Sequence, residues 1–478
     1  MAHEASPVTN SRPPAAEAEG PSRPAFLRLL FSLLDQYAVR YCVLHSYEGL
    51  PQDLPSDLDL AVHPHDVAKL PPLFRSLEEK GYRPVQCVNY AVKGYCFDFV
   101  WFEGASLNCA PVDATYEYRE GGLILIPGEE LVAGRRKRGS FWAPDPKVEL
   151  AYLMAKKTLK GSVPAHQEKR LGLLVREVGS SEAERVAGNL FGERLEKRVV
   201  EACTRGCAGG VLGRLRRRLW WSIAKRNALN PIRCLLADAP RLTRRWFQPT
   251  GLLLVVLGPD GVGKSTLIAR LTQVLLPPFR RWIVFHWRPL LVWRRRHSGP
   301  ISDPHAKPPR SPVASIAKLF ALLPDYWFGY WLVTRPLLAR SGLVVFDRYF
   351  HDLLVDPLRY RDGAPMWLSR FLSMFVTPAE SLFLILDAPD EVILSRKHEV
   401  PPEELRRQRA AYKRLGDELP NAVCVCNDQD IDHTVGVASR TVIEHLARRF
   451  QRRHASWLAS GEEQAAEGGE PSRGWVKS

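Results

Sequence analysis

The string Gly258-Pro-Asp-Gly-Val-Gly-Lys-Ser-Thr266 carries the spacing Gly-x-x-x-x-Gly-Lys-Ser/Thr, directly after the apolar run Leu252–Leu257. These residue types at this spacing bind phosphate. Gly258, Gly261 and Gly263 let the backbone turn so that several N–H groups converge on phosphate oxygens. Lys264 reaches the β- and γ-phosphates, and the Ser265 hydroxyl can ligate Mg²⁺. A helix from about Lys264 to Leu276 aims its positive end at the same anion. Gly258, Asp260, Gly261, Val262, Gly263, Lys264, Ser265 and Thr266 are therefore the candidate cradle for ATP.

Two further strings add chemistry. An apolar run ends in Asp347-Arg348-Tyr349, so a carboxylate and a guanidinium leave a strand at the edge where open α/β sheets bind ligands. Asp347 can hold Mg²⁺ or its water, and Arg348 can grip a second phosphate bidentately. Downstream, Arg396 and the run Arg406-Arg407-Gln408-Arg409 offer cations on a loop and helix start. Arg396, Arg406 and Arg409 could close over a triphosphate and neutralise charge in phosphoryl transfer. The alternative for this run is a solvated helix face, and for Asp347-Arg348 a strand-end ion pair.

The elements that must position these groups follow from periodicity. Near-continuous apolar runs at Leu252–Leu257, Trp282–His286, Leu343–Asp347, Leu382–Asp387 and Ala422–Cys426 alternate with helical segments. That pattern predicts an α/β fold whose parallel sheet is covered by helices on both faces. Pro249-Thr250-Gly251 marks its start.

The C-terminal region, roughly 250–450, resembles the thymidylate kinase family of nucleoside-monophosphate kinases. The resemblance rests on the loop with Asp260 inside it, on Asp347-Arg348-Tyr349, and on the arginines of 396–409. It implies that Asp260 contacts the acceptor sugar and that Arg348 grips the acceptor phosphate. At Phe-His-Trp-Arg288-Pro289 only Arg-Pro remains of the family's substrate motif, and a Pro/Arg-rich insertion follows at about 290–312. The segment Phe346–Arg361 resembles kinase-like proteins encoded with bacterial surface-polysaccharide genes, which implies a specialised acceptor.

A second set of acids lies near the front. In Ser56-Asp57-Leu58-Asp59-Leu60, alternation along a strand puts Asp57 and Asp59 on one face with Leu58 in the core. Two such carboxylates can share divalent metal beside a triphosphate. About residues 27–160 resemble the polymerase-β-type nucleotidyltransferases, an α+β fold. The resemblance implies a third acid, Asp113, with Asp98 as its rival. The turn glycine of that family is replaced by His45-Ser46-Tyr47, so the domain either transfers nucleotides or binds a nucleotide or sugar phosphate without turnover. Lys156 and Lys157, on a following helix, could reach phosphate or face solvent.

The remaining sequence bounds the answer. At 478 residues with 45% hydrophobic content, two or three domains are expected. The reading is a disordered tail at 1–24, the nucleotidyltransferase-like domain at 25–160, a helical basic connector at 161–249, the P-loop domain at 250–453, and a loose tail at 454–478. In the front, strands are expected at Tyr41–Leu44, Leu58–Val62, Cys96–Phe102 and Ala110–Tyr118, with helices at Ala25–Ala38 and His65–Lys80.

The net charge is +15, and Arg205–Gln248 alone holds eleven Lys/Arg against Asp238. Leu212, Leu215, Leu219 and Ile223 fall at helical spacing there, with Trp220 and Trp221 beside them. Such a helix can dock between domains or lie on an anionic membrane surface, and docking is the favoured reading. No motif supports specific nucleic-acid binding. No signal peptide or membrane span is read, and nine scattered cysteines fit reduced thiols in the cytoplasm, without structural zinc. Oligomeric state is open, a homodimer being compatible. The expected function is ATP- and Mg²⁺-dependent phosphoryl transfer to a nucleoside monophosphate (dTMP or related) or other phosphorylated acceptor, in the service of surface-polysaccharide biosynthesis. A nucleotide-gated scaffold, or a nucleotidyltransferase acting through the front domain, are the alternatives.

Overall fold

The computed structural model describes residues 21–459, except 55, 92, 121–122, 227–229, 289–307, 397–399 and 429. Most of the 290–312 insertion, nearly all of the N-terminal tail and the last residues therefore lie outside the described residues. Two five-stranded sheets organise the rest.

The front sheet comprises β1 (Tyr41–Val43), β2 (Leu58–Val62), β3 (Arg83–Ala91), β4 (Gly94–Glu103) and β5 (Ser106–Thr115), in the order β1-β2-β5-β4-β3. Only the β2–β5 pairing is parallel, and its register sets Asp59 opposite Asp113. Helices α1 (Arg23–Gln36) and α2 (Leu70–Glu79) are amphipathic and pack Phe26, Leu30, Phe31 and Phe74 against Phe97 and Phe99. The helix expected over 65–80 is split. Pro64–Lys69 is 3₁₀, and α2 starts afresh with Pro71 in its first turn, where a missing N–H costs nothing. The edge strand β3 was not expected: Pro84, Gln86 and Asn89 interrupt its apolar pattern, and register shifts occur at Pro84/Gln86 and Asn89/Ala91.

Helix α3 (Pro146–Lys160), capped by Asp145 and ended by Gly161, opens a helical bundle. Leu150, Leu153, Leu171, Leu174 and Leu190 form its core, joined by Leu212, Leu215 and Leu219 from the basic connector. The connector's leucines are thus docked, while Trp220 and Trp221 remain outward. Among the described residues no helix is long and apolar enough to cross a membrane.

The second sheet is wholly parallel: β6 (Leu252–Leu257), β7 (Arg281–His286), β8 (Gly342–Asp347), β9 (Leu382–Asp387) and β10 (Ala422–Cys426), in the order β7-β8-β6-β9-β10. Every residue of β6 is buried, because helices cover both faces. These are α4 (Lys264–Val274) and α7 (Ile431–Arg453) on one side, and α5 (Pro312–Gly329) with α6 (Pro402–Glu418) on the other. The two sheets share a core: Val85, Val100, Leu107 and Cys109 of the front sheet belong to the same cluster as Leu267, Ile268, Val442 and Leu446.

The segment from 454 onward, expected to be loose, continues helically as far as it is described, to residue 459. Trp457 is buried in the front core, its ring 5.5 Å from Phe74 and 5.9 Å from Phe97. The polar composition after 460 hid two apolar anchors, Trp457 and Leu458, that extend the face of Phe450. Trp457→Ala is expected to lower stability by about 3 kcal/mol, the low end for large aromatic truncations, because a helix end can relax into the space. A urea melt followed by circular dichroism reads it directly.

Candidate active site

The phosphate loop runs from the end of β6 into α4. Gly258 has φ +145°, and a Cβ there would meet the Leu386 carbonyl oxygen at 2.5 Å. Gly263 has φ +99°, and a Cβ would meet the Asn427 amide nitrogen at 2.6 Å. Both positions require glycine. Val262 is fully buried and anchors the loop. Asn427, just past β10, donates from Nδ2 to the Val262 carbonyl at 2.6 Å and accepts from Thr434 Oγ1 at 3.0 Å. Lys264 is buried, and its Nζ donates to the Gly258 and Pro259 carbonyls at 2.8 Å each. Ser265 and Thr266 are exposed on the first turn of α4.

At the C-terminal edge of β8, Asp347 Oδ1 is buried without a hydrogen-bond partner, while Oδ2 lies 3.4 Å from His286 Nδ1. That hydrogen bond raises the His286 pKa against the opposing effect of burial. Arg348 is buried at φ +74°, a left-handed conformation costly for a non-glycine residue. Its guanidinium pairs with Asp260 and lies 3.8 Å from Asp352 Oδ1. Asp352 is itself buried, accepting from Tyr412 OH at 2.5 Å and from the Tyr349 amide at 2.9 Å.

Arg359 pairs with the other oxygen of Asp260, and Lys264 Nζ lies 3.5 Å from Asp260 Oδ1. Three cations thus converge on one carboxylate inside the phosphate loop. Arg359, Asp352 and Asn427 carry no site role in the sequence reading. Arg359 turns to Asp260, and Arg361 donates to the Pro308 carbonyl.

The candidate lid divides. Arg396 Nη1 lies 3.6 Å from where a Gly263 Cβ would stand, so it overhangs the loop. Arg406 is held by Asp390 at 3.0 Å, and Arg409 by Asp387 at 2.6 and 3.0 Å and by Asp390. Arg288 does not project as a free cation. It is buried 3.3 Å from Asp325 and lies over Trp287, whose ring stacks on Tyr360 at 5.1 Å.

No family model matches the chain. Thymidylate kinases of Xanthomonas oryzae pv. oryzae and Xanthomonas campestris pv. campestris are each 27% identical to it, over 219 and 220 residues. Those stretches span 43% of this chain and 88% of each relative. Solved thymidylate kinases from Candida albicans and Ehrlichia chaffeensis align at 16% and 15% identity. They cover 42% and 40% of this chain and 93% and 98% of their own, with TM-scores of 0.30 and 0.28. Over less than half its length, this chain is similar to thymidylate kinases. The sequence similarity supports a kinase.

The front acids lie elsewhere. Asp57 is exposed just before β2, and Asp59 and Asp113 face each other across the β2–β5 pair. Among the described residues, no group of three or more His, Cys, Asp or Glu is placed to hold a metal ion. The expected metal set Asp57/Asp59/Asp113 is not assembled as such. Lys156 Nζ lies 3.1 and 3.2 Å from the Asp59 oxygens, and His45 Nε2 lies 2.8 Å from Oδ2. Burial works to raise the Asp59 pKa, but His45 and Lys156 hold it well below the usual carboxylate range. Burial, with the negative charges of Asp59 and Asp57, pushes Asp113 up to about 6. Ser46, where a turn glycine was missed, adopts φ +55° nonetheless.

The rival acid, Asp98, pairs in register with Pro111 of β5, two residues from Cys96, which stands opposite Asp113. Burial pushes it up to about 7 against the attraction of Arg280. Between about pH 4 and pH 7 the folded state therefore binds a proton that the unfolded chain releases, so stability falls as pH rises through that window. Thermal melts at pH 5 and pH 8 should show Asp98→Asn losing less stability than wild type over that rise. An equal pH dependence in both proteins would refute the assignment.

Proposed function

We propose that the P-loop unit is a kinase that moves the γ-phosphoryl group of ATP onto the phosphate of a nucleoside monophosphate or related phosphorylated acceptor. The observation that carries this reading is Asp260, a carboxylate inside the phosphate loop clasped by Arg348, Arg359 and Lys264. Two guanidinia held on one carboxylate inside the loop form a ready cradle for a second, phosphorylated substrate, because guanidinium forks match phosphate oxygens.

In the reaction, an acceptor phosphate oxygen attacks the γ-phosphorus, the bond to the β–γ bridging oxygen breaks, and ADP leaves. Lys264 and the loop amides hold the β- and γ-phosphates. Arg348 and Arg359 exchange Asp260 for the acceptor phosphate, and Asp260 is then free for the acceptor's hydroxyls. Arg396 overhangs the loop, where it would meet a bound triphosphate, while Arg406 and Arg409 would join it only by leaving Asp390 and Asp387. Mg²⁺ fits this donor set: the unpartnered Asp347 Oδ1 and the Ser265 hydroxyl are hard oxygens suited to it. When bound, it neutralises charge on the transferring phosphoryl group. Dependence on ATP suits a cytoplasmic enzyme, and the Phe346–Arg361 resemblance supports service in surface-polysaccharide synthesis.

The test is a panel of nucleoside monophosphates and sugar phosphates incubated with ATP and Mg²⁺ and read by mass spectrometry. The expected result is ADP formation strictly dependent on one acceptor class. Slow hydrolysis unchanged by every acceptor would sink the proposal.

A further inference from the structure

The front unit carries its own cation on the acid around which a metal site was expected. Asp59 of β2 stands opposite Asp113 in register, with Asp57 two residues before it, and among the described residues the three acids are not assembled as a metal site. The ammonium of Lys156 is already there. Its Nζ lies 3.1 and 3.2 Å from the two Asp59 oxygens, 2.9 Å from Tyr152 OH and 2.6 Å from His45 Nε2. Both carboxylate oxygens are engaged, and His45 Nε2 stands against Oδ2 at 2.8 Å as well.

The arrangement is built, not incidental. Lys156 and Tyr152 are one turn apart on α3, a helix fixed by the Asp145 cap and by the buried Leu150 and Leu153. The side chains of Lys156 and Asp59 are only 14% and 16% exposed, so solvent screens the pair little. A dication entering beside Asp59 would have to expel a tethered ammonium, or lie within a few ångströms of it. The tether keeps that ammonium at high local concentration, an advantage no free ion shares. Lys157, the next residue, is also buried and adds a second positive charge on the same helix.

We infer that the front α+β unit excludes divalent metal: Lys156 is a permanent internal cation on Asp59, so metal-dependent nucleotidyl transfer does not occur there and any ligand of this unit binds without metal. The inference is independent of the kinase reading of the P-loop unit.

The experiment is Mn²⁺ titration of the nucleotide-free, full-length protein, with free Mn²⁺ read by electron paramagnetic resonance. Wild type and Asp59→Asn should bind Mn²⁺ alike. Lys156→Ala should gain one bound ion that Lys156→Ala/Asp59→Asn lacks. If the alanine variant melts early, Lys156→Met keeps the aliphatic stem and serves in the same comparison. Mn²⁺ bound by wild type and lost in Asp59→Asn overturns the inference, as does a folded Lys156 variant that gains no ion. Pyrophosphate released from ATP and Mg²⁺ by Lys264→Ala, but not by Asp57→Asn/Asp59→Asn, overturns it too.

Discussion

Lys264→Ala is expected to reduce acceptor-dependent ADP formation by roughly 10²- to 10³-fold, with a melting curve close to that of wild type. The two halves of this expectation have separate causes. The ammonium is buried and aims at the carbonyls of Gly258 and Pro259, at 2.8 Å each. Those contacts hold it where developing negative charge on the transferring phosphoryl group would need it, in a site with little water to screen the interaction. Phosphoryl transfer leaves the protein little covalent chemistry to perform, so most of the acceleration must come from fixed charges that need no reorganisation. The fold loses little, because Arg348 and Arg359 stay on Asp260 and the same cluster sheds one of three mutually repelling cations. Single-turnover kinetics at saturating ATP would read the chemical step. An unchanged rate would mean that the loop does not hold the reacting phosphates.

The central strands β6, β8 and β9 were legible because burial on both faces writes them as unbroken apolar runs, a signal needing no partner; the edge strands β7 and β10 are largely exposed and were legible from their apolar residues alone. The loop was legible because its glycines answer to local backbone geometry, as Gly258 and Gly263 bear out. Arg359 was not legible: it meets Asp260 across 99 residues, and nothing near it in sequence distinguishes it from Arg361. Its only signal was its place in a turn that closely follows Asp347-Arg348. Asn427 meets Val262 across 165 residues, and a lone asparagine after a strand reads as a turn. The front acids teach the same lesson in reverse. Alternation put Asp57 and Asp59 on one strand, but only Asp59 lies within β2, and the ammonium that occupies it comes from 97 residues away. Spacing shows which groups share a face; only packing shows which of them is already taken. Trp457 is a further case, since helical spacing from Phe450 was present and was outweighed by the polar tail behind it.

Arg348→Ala/Arg359→Ala is expected to lower kcat/KM for the acceptor by roughly 10²- to 10⁴-fold while leaving the KM for ATP little changed. Each guanidinium that meets a charged oxygen contributes about 1.5–3 kcal/mol, and two such contacts multiply in rate. Of the two singles, Arg348→Ala should be the more damaging. Arg348 is buried, faces Asp352 as well as Asp260, and is held at φ +74° by the turn that leaves β8. Arg359 is partly exposed and reaches Asp260 alone among the described acids, so its loss should appear mainly in the KM for acceptor. Arg359→Lys should recover charge but not the planar fork, and so rescue only part of the effect. Asp260→Asn separates this account from a structural one. If Asp260 only cements the loop, its removal should depress ATP and acceptor kinetics together. If it stands where an anion belongs, the asparagine variant should bind a simple phosphate more tightly than wild type, because two arginines lose their internal competitor.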